Sequence, residues 1–96
     1  MNGYVLTEQA EADLQDIWDF IAAGNVDAAD TVAAEFREAF NTLADMPGLG
    51  HRRVDVINRR FRFWTIYRYV IAYFPDTNPL QIIRVVPGER DLRKLF

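Results

Sequence analysis

The chain has 96 residues, of which 50% are hydrophobic and 26% are charged, with a formal net charge of −3 and no cysteine. This length predicts a single domain over residues 1–96 that buries a core without disulfides. The lack of cysteine excludes disulfides and thiolate sites for metal binding or nucleophilic catalysis. No signal-like N-terminus and no apolar run of roughly 18 residues is present, so we expect a cytoplasmic protein without membrane contact.

The charges divide the chain into two halves of opposite sign. Residues 1–50 contain ten acidic residues and a single basic residue, Arg37, whereas residues 51–96 contain ten basic and four acidic residues. Nine of those ten bases are arginine, which makes planar, bidentate contacts with carboxylates and phosphates. We therefore expect the basic half to meet an acidic partner. The alternative is that the two halves neutralise each other within the fold.

The first half predicts a short strand and two helices. Residues 4–6 form an apolar run, and Thr7 follows as a candidate helix N-cap. Apolar residues then recur at helical spacing over residues 8–23, and again from Asn25 or Asp27 to the sequence MPGLG at residues 46–50. Gly24 is a candidate for a left-handed helix C-terminus. The short connection predicts an antiparallel helical hairpin.

The second half predicts three strands. Residues 51–59 are polar and indicate a loop, whereas residues 60–66 and 69–74 are rich in aromatic and β-branched side chains on either side of two hairpin residues. The sequence PDTNP at residues 75–79 predicts a turn, residues 80–86 a third strand, and the last residues a short helix or turn. The predicted order is β-α-α-β-β-β with a short C-terminal helix, an α+β fold in which a helical hairpin packs on a mostly antiparallel sheet.

Few residues are suited to catalysis. The chain has no serine and one histidine, His51, which excludes Ser-His-Asp and Cys-His arrangements and a multi-histidine metal site. The carboxylates of Asp13, Asp16 and Asp19 lie one helical turn apart and indicate a solvated helix face rather than a cation site. No metal or cofactor is expected. Aromatic side chains of the predicted hairpin that do not face the helices could stack on nucleobases.

Arginines on and after the predicted strands form the main candidate binding set. These candidate binding residues are Arg60, Arg62, Arg84, Arg90 and Arg93. The period of two places the first two on one face of their strand, and the face of the sheet away from the helices could gather the set into a basic patch. Cleavage of RNA would also need groups that move protons. The candidates for that role are Tyr67, Tyr69, Tyr73, Glu89 and Asp91.

Four segments resemble ParE toxins of the RelE/ParE superfamily of type II toxin–antitoxin modules. They are YVLTEQAEADLQDIWDFIA at residues 4–22, LADMPGLGHRR at 43–53, RFWTIYRYVIAYF at 62–74 and IIRVVPGERDLRKLF at 82–96. The resemblance implies a helical hairpin on an antiparallel sheet. It also implies inhibition of growth by binding DNA gyrase, no enzymatic activity, and a hetero-oligomeric complex with a ParD-like antitoxin whose C-terminal segment supplies acids to the arginines.

Two alternatives to a gyrase-binding toxin remain open. RelE-like members of the superfamily are ribosome-dependent mRNA endoribonucleases that use basic residues on the sheet and, in many cases, a tyrosine close to the C-terminus. Arg62 and Arg84 match basic positions of those enzymes, but no tyrosine follows Tyr73, and Arg93 stands where it is expected. The second alternative is a non-toxic nucleic-acid binder. We favour the gyrase-binding toxin, for which direct nucleic-acid binding is not expected.

Overall fold

A computed structural model describes residues 3–96 of the chain. The elements in chain order are β1 (Tyr4–Leu6), α1 (Glu8–Ala22), α2 (Val26–Asp45), β2 (Arg62–Ile66), β3 (Tyr69–Phe74), β4 (Leu80–Pro87) and α3 (Leu92–Leu95). A 3₁₀ turn at Pro47–Leu49 follows α2. The four strands form one sheet in the order β1-β4-β3-β2, in which β1 is parallel to β4 and the other pairs are antiparallel. The predicted α+β order and the mostly antiparallel sheet are therefore confirmed.

Local hydrogen bonds set the ends of the helices. The Thr7 hydroxyl accepts from the Ala10 N–H at 3.0 Å, and the Asn25 side chain accepts from the Ala28 N–H at 2.9 Å, so each caps a helix N-terminus. The expected left-handed conformation at Gly24 is wrong, because no described glycine has a positive φ. Helix α1 ends instead in a tight turn, in which the Gly24 N–H donates to the Ile21 carbonyl at 3.0 Å.

The tip of the β2–β3 hairpin consists of Tyr67 and Arg68, as predicted. Tyr67 has a φ of 54°, the left-handed region that tight hairpin turns require and that tyrosine rarely adopts. Its hydroxyl donates to the Glu35 carboxylate on α2. This contact fastens the tip of the hairpin to the helical layer.

Hydrophobic side chains fill both faces of the sheet. The first core lies between the sheet and the α1–α2 hairpin and includes Phe36, Phe40, Ile71, Tyr73 and Ile82. The second core lies on the other face and consists of Val56, Phe61, Phe63, Val70, Ala72, Val86 and Leu92. The segment before β2 and the C-terminal tail thus cover the face that the helices leave open.

Candidate binding surfaces

The structure does not gather the candidate arginines on the face of the sheet away from the helices. Along β2, Phe63 enters the second core while Trp64 packs against the first, so the alternation of side chains places Arg62 on the helix side. Nη1 of Arg62 donates to the Gly50 carbonyl at 2.7 Å and lies 3.5 Å from the Gly48 carbonyl. The expectation of a basic patch on the other face is wrong, because hydrophobic side chains occupy that face.

Arg84 is bound within the fold by Asp13 on α1. Its Nε and Nη2 donate to the two carboxylate oxygens at 2.8 and 3.0 Å, and the side chains are only 21% and 13% exposed. The hydrogen bonds to Asp13 raise the pKa of Arg84. The same carboxylate accepts from the Val85 N–H at 2.9 Å, beyond Ile82 where the pairing of β1 with β4 ends. Arg84 therefore fastens α1 to β4.

The remaining candidates lie at separate places on the surface. Nε of Arg60 lies 3.1 Å from Asp76, and its guanidinium lies 4.0 Å above the Phe74 ring. Arg93 pairs with Asp91 at 3.1 Å, and this contact raises the pKa of Arg93 and lowers the pKa of Asp91. Arg90 is exposed and has no ion pair within residues 3–96. The candidates thus do not form one site.

The ion pairs within the fold neutralise little of the opposite charge of the two halves of the chain. Only Arg84–Asp13, among the five ion pairs within residues 3–96, joins the acidic half to the basic half. The other four pair arginines of the basic half with its own acids, which are Asp55, Asp76, Glu89 and Asp91. Mutual neutralisation of the halves is therefore limited to one contact. The cations without a carboxylate partner among the described residues of the basic half are Arg52, Arg59, Arg62, Arg90 and Lys94.

A groove of about 240 Å³ runs between the end of α1 and the edge of β4, and we call it the α1–β4 groove. Ile17 and Phe20 contribute apolar surface, and Phe20 is 73% exposed. Three arginines, Arg68, Arg84 and Arg90, lie on its lining together with two aspartates, Asp13 and Asp16. Arg68 also pairs with Glu89 at 2.9 Å, which raises the pKa of Arg68 and contributes to lowering that of Glu89. The groove therefore combines an exposed aromatic ring with cationic side chains.

The edge of β4 in this groove is closed to another strand. An added strand needs free backbone N–H groups on the edge that it joins. The Val85 N–H is taken by the Asp13 carboxylate, and Pro87 has no N–H to donate. The groove is consequently suited to side chains or to one face of a helix rather than to strand addition.

A second cavity of about 200 Å³ lies between α1 and α2, and we call it the interhelical cavity. Leu14, Trp18 and Val32 line it together with Arg37, the only basic residue of the first half. The Trp18 indole N–H donates to Asp30 at 3.0 Å across the two helices. This cavity is lined mainly by apolar side chains and lies within the acidic half of the chain.

The aromatic residues of the hairpin are used almost entirely for packing. Trp64, Tyr69 and Tyr73 belong to the first core or pack against it. On the other face the Phe61 ring contacts Phe74 and Phe96, with centroid distances of 4.6 and 4.7 Å. Among the described aromatic residues of the hairpin, only Tyr67 is exposed. A row of rings available to nucleobases is therefore not formed.

Among the groups considered for proton transfer, Tyr73 is bound within the fold. The Tyr73 hydroxyl accepts from the Gly50 N–H at 2.9 Å and donates to the Pro47 carbonyl at 2.7 Å, and burial raises the pKa of Tyr73. His51 is exposed and lies over Trp64, with ring centroids 6.3 Å apart. Across residues 3–96, no three His, Asp or Glu side chains lie close enough to hold a metal ion.

The structure also shows binding candidates that the sequence patterns did not single out. The predicted loop at 51–59 is confirmed, but Val54 and Ile57 within it are 92% and 90% exposed while Val56 is buried. We call residues 52–60 the basic loop because they include four arginines and one aspartate. The sequence VDVI, three β-branched residues in a polar stretch, was the available signal. The sequence patterns also did not indicate Phe20 as a binding residue. Its position outside the apolar stripe of α1 was the available signal.

A family model and a solved structure both match this chain. The family model described as "ParE toxin of type II toxin-antitoxin system, parDE" matches residues 4–92. A chain from the solved structure "Chromosomal ParDE TA system from P. aeruginosa" superposes with a TM-score of 0.75 at 21% sequence identity, covering 93% of this chain and 98% of that chain. This structural likeness shows the fold. No curated protein gives a significant match to the sequence. None of the helices within residues 3–96 has the length and apolar character needed to cross a membrane.

Proposed function

The chain belongs to the family of ParE toxins of type II toxin–antitoxin systems, and from this premise we propose that it inhibits growth by binding DNA gyrase, without chemistry of its own. We further propose that it acts in the cytoplasm and that a ParD-like antitoxin neutralises it in a hetero-oligomeric complex. The observation that carries the proposal is the internal binding of the two arginines that a RelE-like nuclease would use, Arg62 and Arg84.

A site that cuts RNA needs cations free to meet phosphate and groups free to move protons. Arg62 donates to a backbone carbonyl, and Arg84 is paired with Asp13 through two hydrogen bonds. Tyr73 is 0% exposed, and its hydroxyl already has a donor and an acceptor. Near the C-terminus, Arg93 stands in place of the expected tyrosine and pairs with Asp91. These contacts favour a toxin that binds its target over one that cuts RNA.

Gyrase inhibition and RNA cleavage are separated by two assays on the same toxin preparation. We expect the free toxin to inhibit supercoiling by purified gyrase and to leave transcripts intact in primer extension after induction in cells. Arg62→Ala and Arg84→Ala should change the supercoiling result only as far as they lower stability. Codon-linked mRNA cuts that disappear with Arg62→Ala in a folded variant, together with unaffected supercoiling, would contradict the proposal.

For the antitoxin, we propose the α1–β4 groove as the binding site of an acidic, amphipathic helical segment. Phe20 and Ile17 offer apolar surface, Arg68 and Arg90 offer positive charge, and the closed edge of β4 disfavours strand addition. Asp13 and Asp16 also line the groove, but Asp13 is paired with Arg84, so Arg68 and Arg90 are the side chains that would attract an acidic segment there. A segment that folds on binding loses conformational entropy, which the burial of the exposed Phe20 ring helps to offset.

Charge reversal at two exposed arginines tests this antitoxin site. We expect Arg90→Glu to weaken the binding of the antitoxin's C-terminal segment by about 10- to 100-fold in calorimetry, because an attractive contact becomes repulsive. Arg37→Glu is the matched control, since it makes the same change at the interhelical cavity. If Arg37→Glu weakens binding and Arg90→Glu does not, the antitoxin segment lies between the helices and the assignment to the α1–β4 groove is wrong.

A further inference from the structure

The basic loop exposes apolar side chains more fully than any other part of the surface formed by residues 3–96. Val54 and Ile57 are 92% and 90% exposed, whereas the other exposed large hydrophobic side chains range from 46% at Val5 to 73% at Phe20. Isolated surface apolar residues are ordinary. Two almost fully solvated β-branched side chains, three residues apart in one loop, are a feature that the packing of this domain does not explain.

The loop is held in one shape by hydrogen bonds and by a buried anchor. Its ends are joined by the bridge between His51 and Phe63, with both N–H···O distances at 2.8 Å. Nη1 of Arg52 donates to the Arg59 carbonyl at 2.6 Å across the loop, and Val56 is 2% exposed in the second core. Compact loops with joined ends are frequently functional. The two apolar tips are thus presented on a fixed support.

Charge surrounds these tips. The loop contains four arginines, Arg52, Arg53, Arg59 and Arg60, and a single acid, Asp55. No described carboxylate pairs with Arg52 or Arg59. Proteins that bind single-stranded nucleic acids add aromatic planes to such cations, and residues 52–60 contain no aromatic side chain. Aliphatic tips with a cationic rim instead complement an apolar recess with an acidic rim on a protein.

We propose that the basic loop is the element of the toxin that inserts into an acidic-rimmed apolar recess of the target protein. The assignment rests on the proposed function, in which the toxin acts by binding a protein target. A convex loop fits a recess in a folded partner, whereas a flexible antitoxin segment needs a groove, which the α1–β4 groove provides. The loop packs on the second core and the groove lies beside α1, so the two sites use different layers of the fold.

The test compares three toxin variants in a gyrase supercoiling assay and in calorimetry with the antitoxin. We expect Val54→Ser/Ile57→Ser to need about 10- to 100-fold more toxin for half-inhibition, as for the loss of central interface contacts. Arg59→Glu should act in the same direction, with a larger effect at low salt because its contact is electrostatic. Val26→Ser, at a 53% exposed valine on α2, is the control and should behave like the wild type. All three variants should keep the wild-type melting temperature and antitoxin affinity.

The outcomes separate this inference from the proposed function. If the wild type inhibits gyrase and the double variant inhibits it equally, the loop assignment is wrong while the proposed function stands. If the wild type does not inhibit gyrase, the proposed function falls and the loop assignment falls with it. Loss of antitoxin affinity in the double variant would place the antitoxin on the loop and overturn the assignment. Binding of a fluorescent RNA or DNA oligonucleotide that Arg59→Glu abolishes would also overturn it, in favour of a nucleic-acid partner.

Discussion

Gly50 occupies a position where the end of the helical layer meets the sheet with no room for a side chain. A Cβ there would lie 2.4 Å from the Tyr73 hydroxyl oxygen and 2.9 Å from the Phe63 carbonyl oxygen. The Gly50 N–H donates to that hydroxyl, and its carbonyl accepts from Arg62. One small residue therefore allows the turn after α2 to be fastened to both β2 and β3.

We expect Gly50→Ala to lower the free energy of unfolding by about 2–4 kcal/mol, because either the Tyr73 hydrogen bonds or the backbone must shift. Gly48→Ala is the matched control in the same turn, since a Cβ at Gly48 meets nothing within 4 Å. Chemical denaturation of both variants measures the difference. Equal stability of the two variants would show that the turn is free to move away from Tyr73.

Asp13 makes three hydrogen bonds that join α1 to β4. We expect Asp13→Ala to cost about 2–3 kcal/mol of unfolding free energy, because it leaves the half-buried Arg84 cation and the Val85 N–H without a partner. Asp13→Asn should cost less, since an amide oxygen can still accept from Val85. Asp16→Ala, at an exposed position one turn further along α1, is the control. An Asp13→Ala variant as stable as Asp16→Ala in urea would refute this role.

At the scale of elements, the C-terminal tail closes the second core. The Asp91 side chain caps α3, Leu92 is 2% exposed, and the Phe96 ring lies 4.7 Å from Phe61 and 5.6 Å from Phe63. The tail is thus an integral part of the fold, and only its charged residues face outward. The sequence predicted a short helix here, which is confirmed.

Leu92→Ala should destabilise the protein by about 2–4 kcal/mol, as expected for truncation of a fully buried leucine. Lys94→Ala, on the exposed side of the same short helix, should change stability by less than about 0.5 kcal/mol. Thermal or denaturant unfolding gives both values. If Leu92→Ala matches Lys94→Ala, the tail does not contribute to the core.

The contact between Tyr67 and Glu35 predicts a pH dependence at alkaline pH. The hydrogen bond to Glu35 raises the pKa of Tyr67 above its ordinary value of 10.0, because ionisation would remove the O–H donor of that bond and would also place two negative charges together. The stabilising effect of neutral Tyr67 is complete below that ordinary pKa and is lost as the pH rises through the raised value. We expect Glu35→Gln to lower the pKa of Tyr67, measured by tyrosinate absorbance with Tyr67→Phe as the reference. Glu38→Gln is the control, and a titration unchanged by Glu35→Gln would refute the contact.

The elements were predictable because their hydrophobic periods are regular. The assignment of the β4 side chains to the two faces of the sheet was not predictable. Strict alternation would place Arg84 on the same face as Leu80 and Ile82. A register shift pairs Ala72 with Arg84 but Tyr73 with Ile82, so that Val85 joins the first core instead. A β-bulge depends on the partner strand, and a single strand's pattern does not reveal it. The basic patch predicted for the open face failed because Arg62 lies on the helix side and Arg84 pairs with Asp13 on α1. The loop at 51–59 also supplies Val56 to cover that face.

At the scale of the whole molecule, the opposite charges of the two halves were predictable by counting, but the cations that remain unpaired were not. The four acids of the basic half each pair with an arginine, which requires contacts such as Arg60–Asp76 and Arg68–Glu89 across 16 and 21 residues. Of the five unpaired cations among the described residues of the basic half, Arg52 and Arg59 lie in the basic loop and Arg90 lies in the α1–β4 groove. The other two lie elsewhere, since Arg62 donates to the Gly50 carbonyl and Lys94 lies on α3. This separation supports a toxin with one surface for its target and another for its antitoxin.

The measurement that tests the central claim most directly is the stoichiometry of gyrase inhibition. A toxin that acts by occupying its target must reach the target's concentration, whereas an enzyme acts far below it. When the gyrase concentration is well above the dissociation constant of the toxin–gyrase complex, we predict that the toxin concentration giving half-inhibition of supercoiling rises in proportion to the gyrase concentration. We also predict that one equivalent of antitoxin abolishes the inhibition. Supercoiling that stays intact at excess toxin, or growth arrest with catalytic loss of transcripts, would contradict the account.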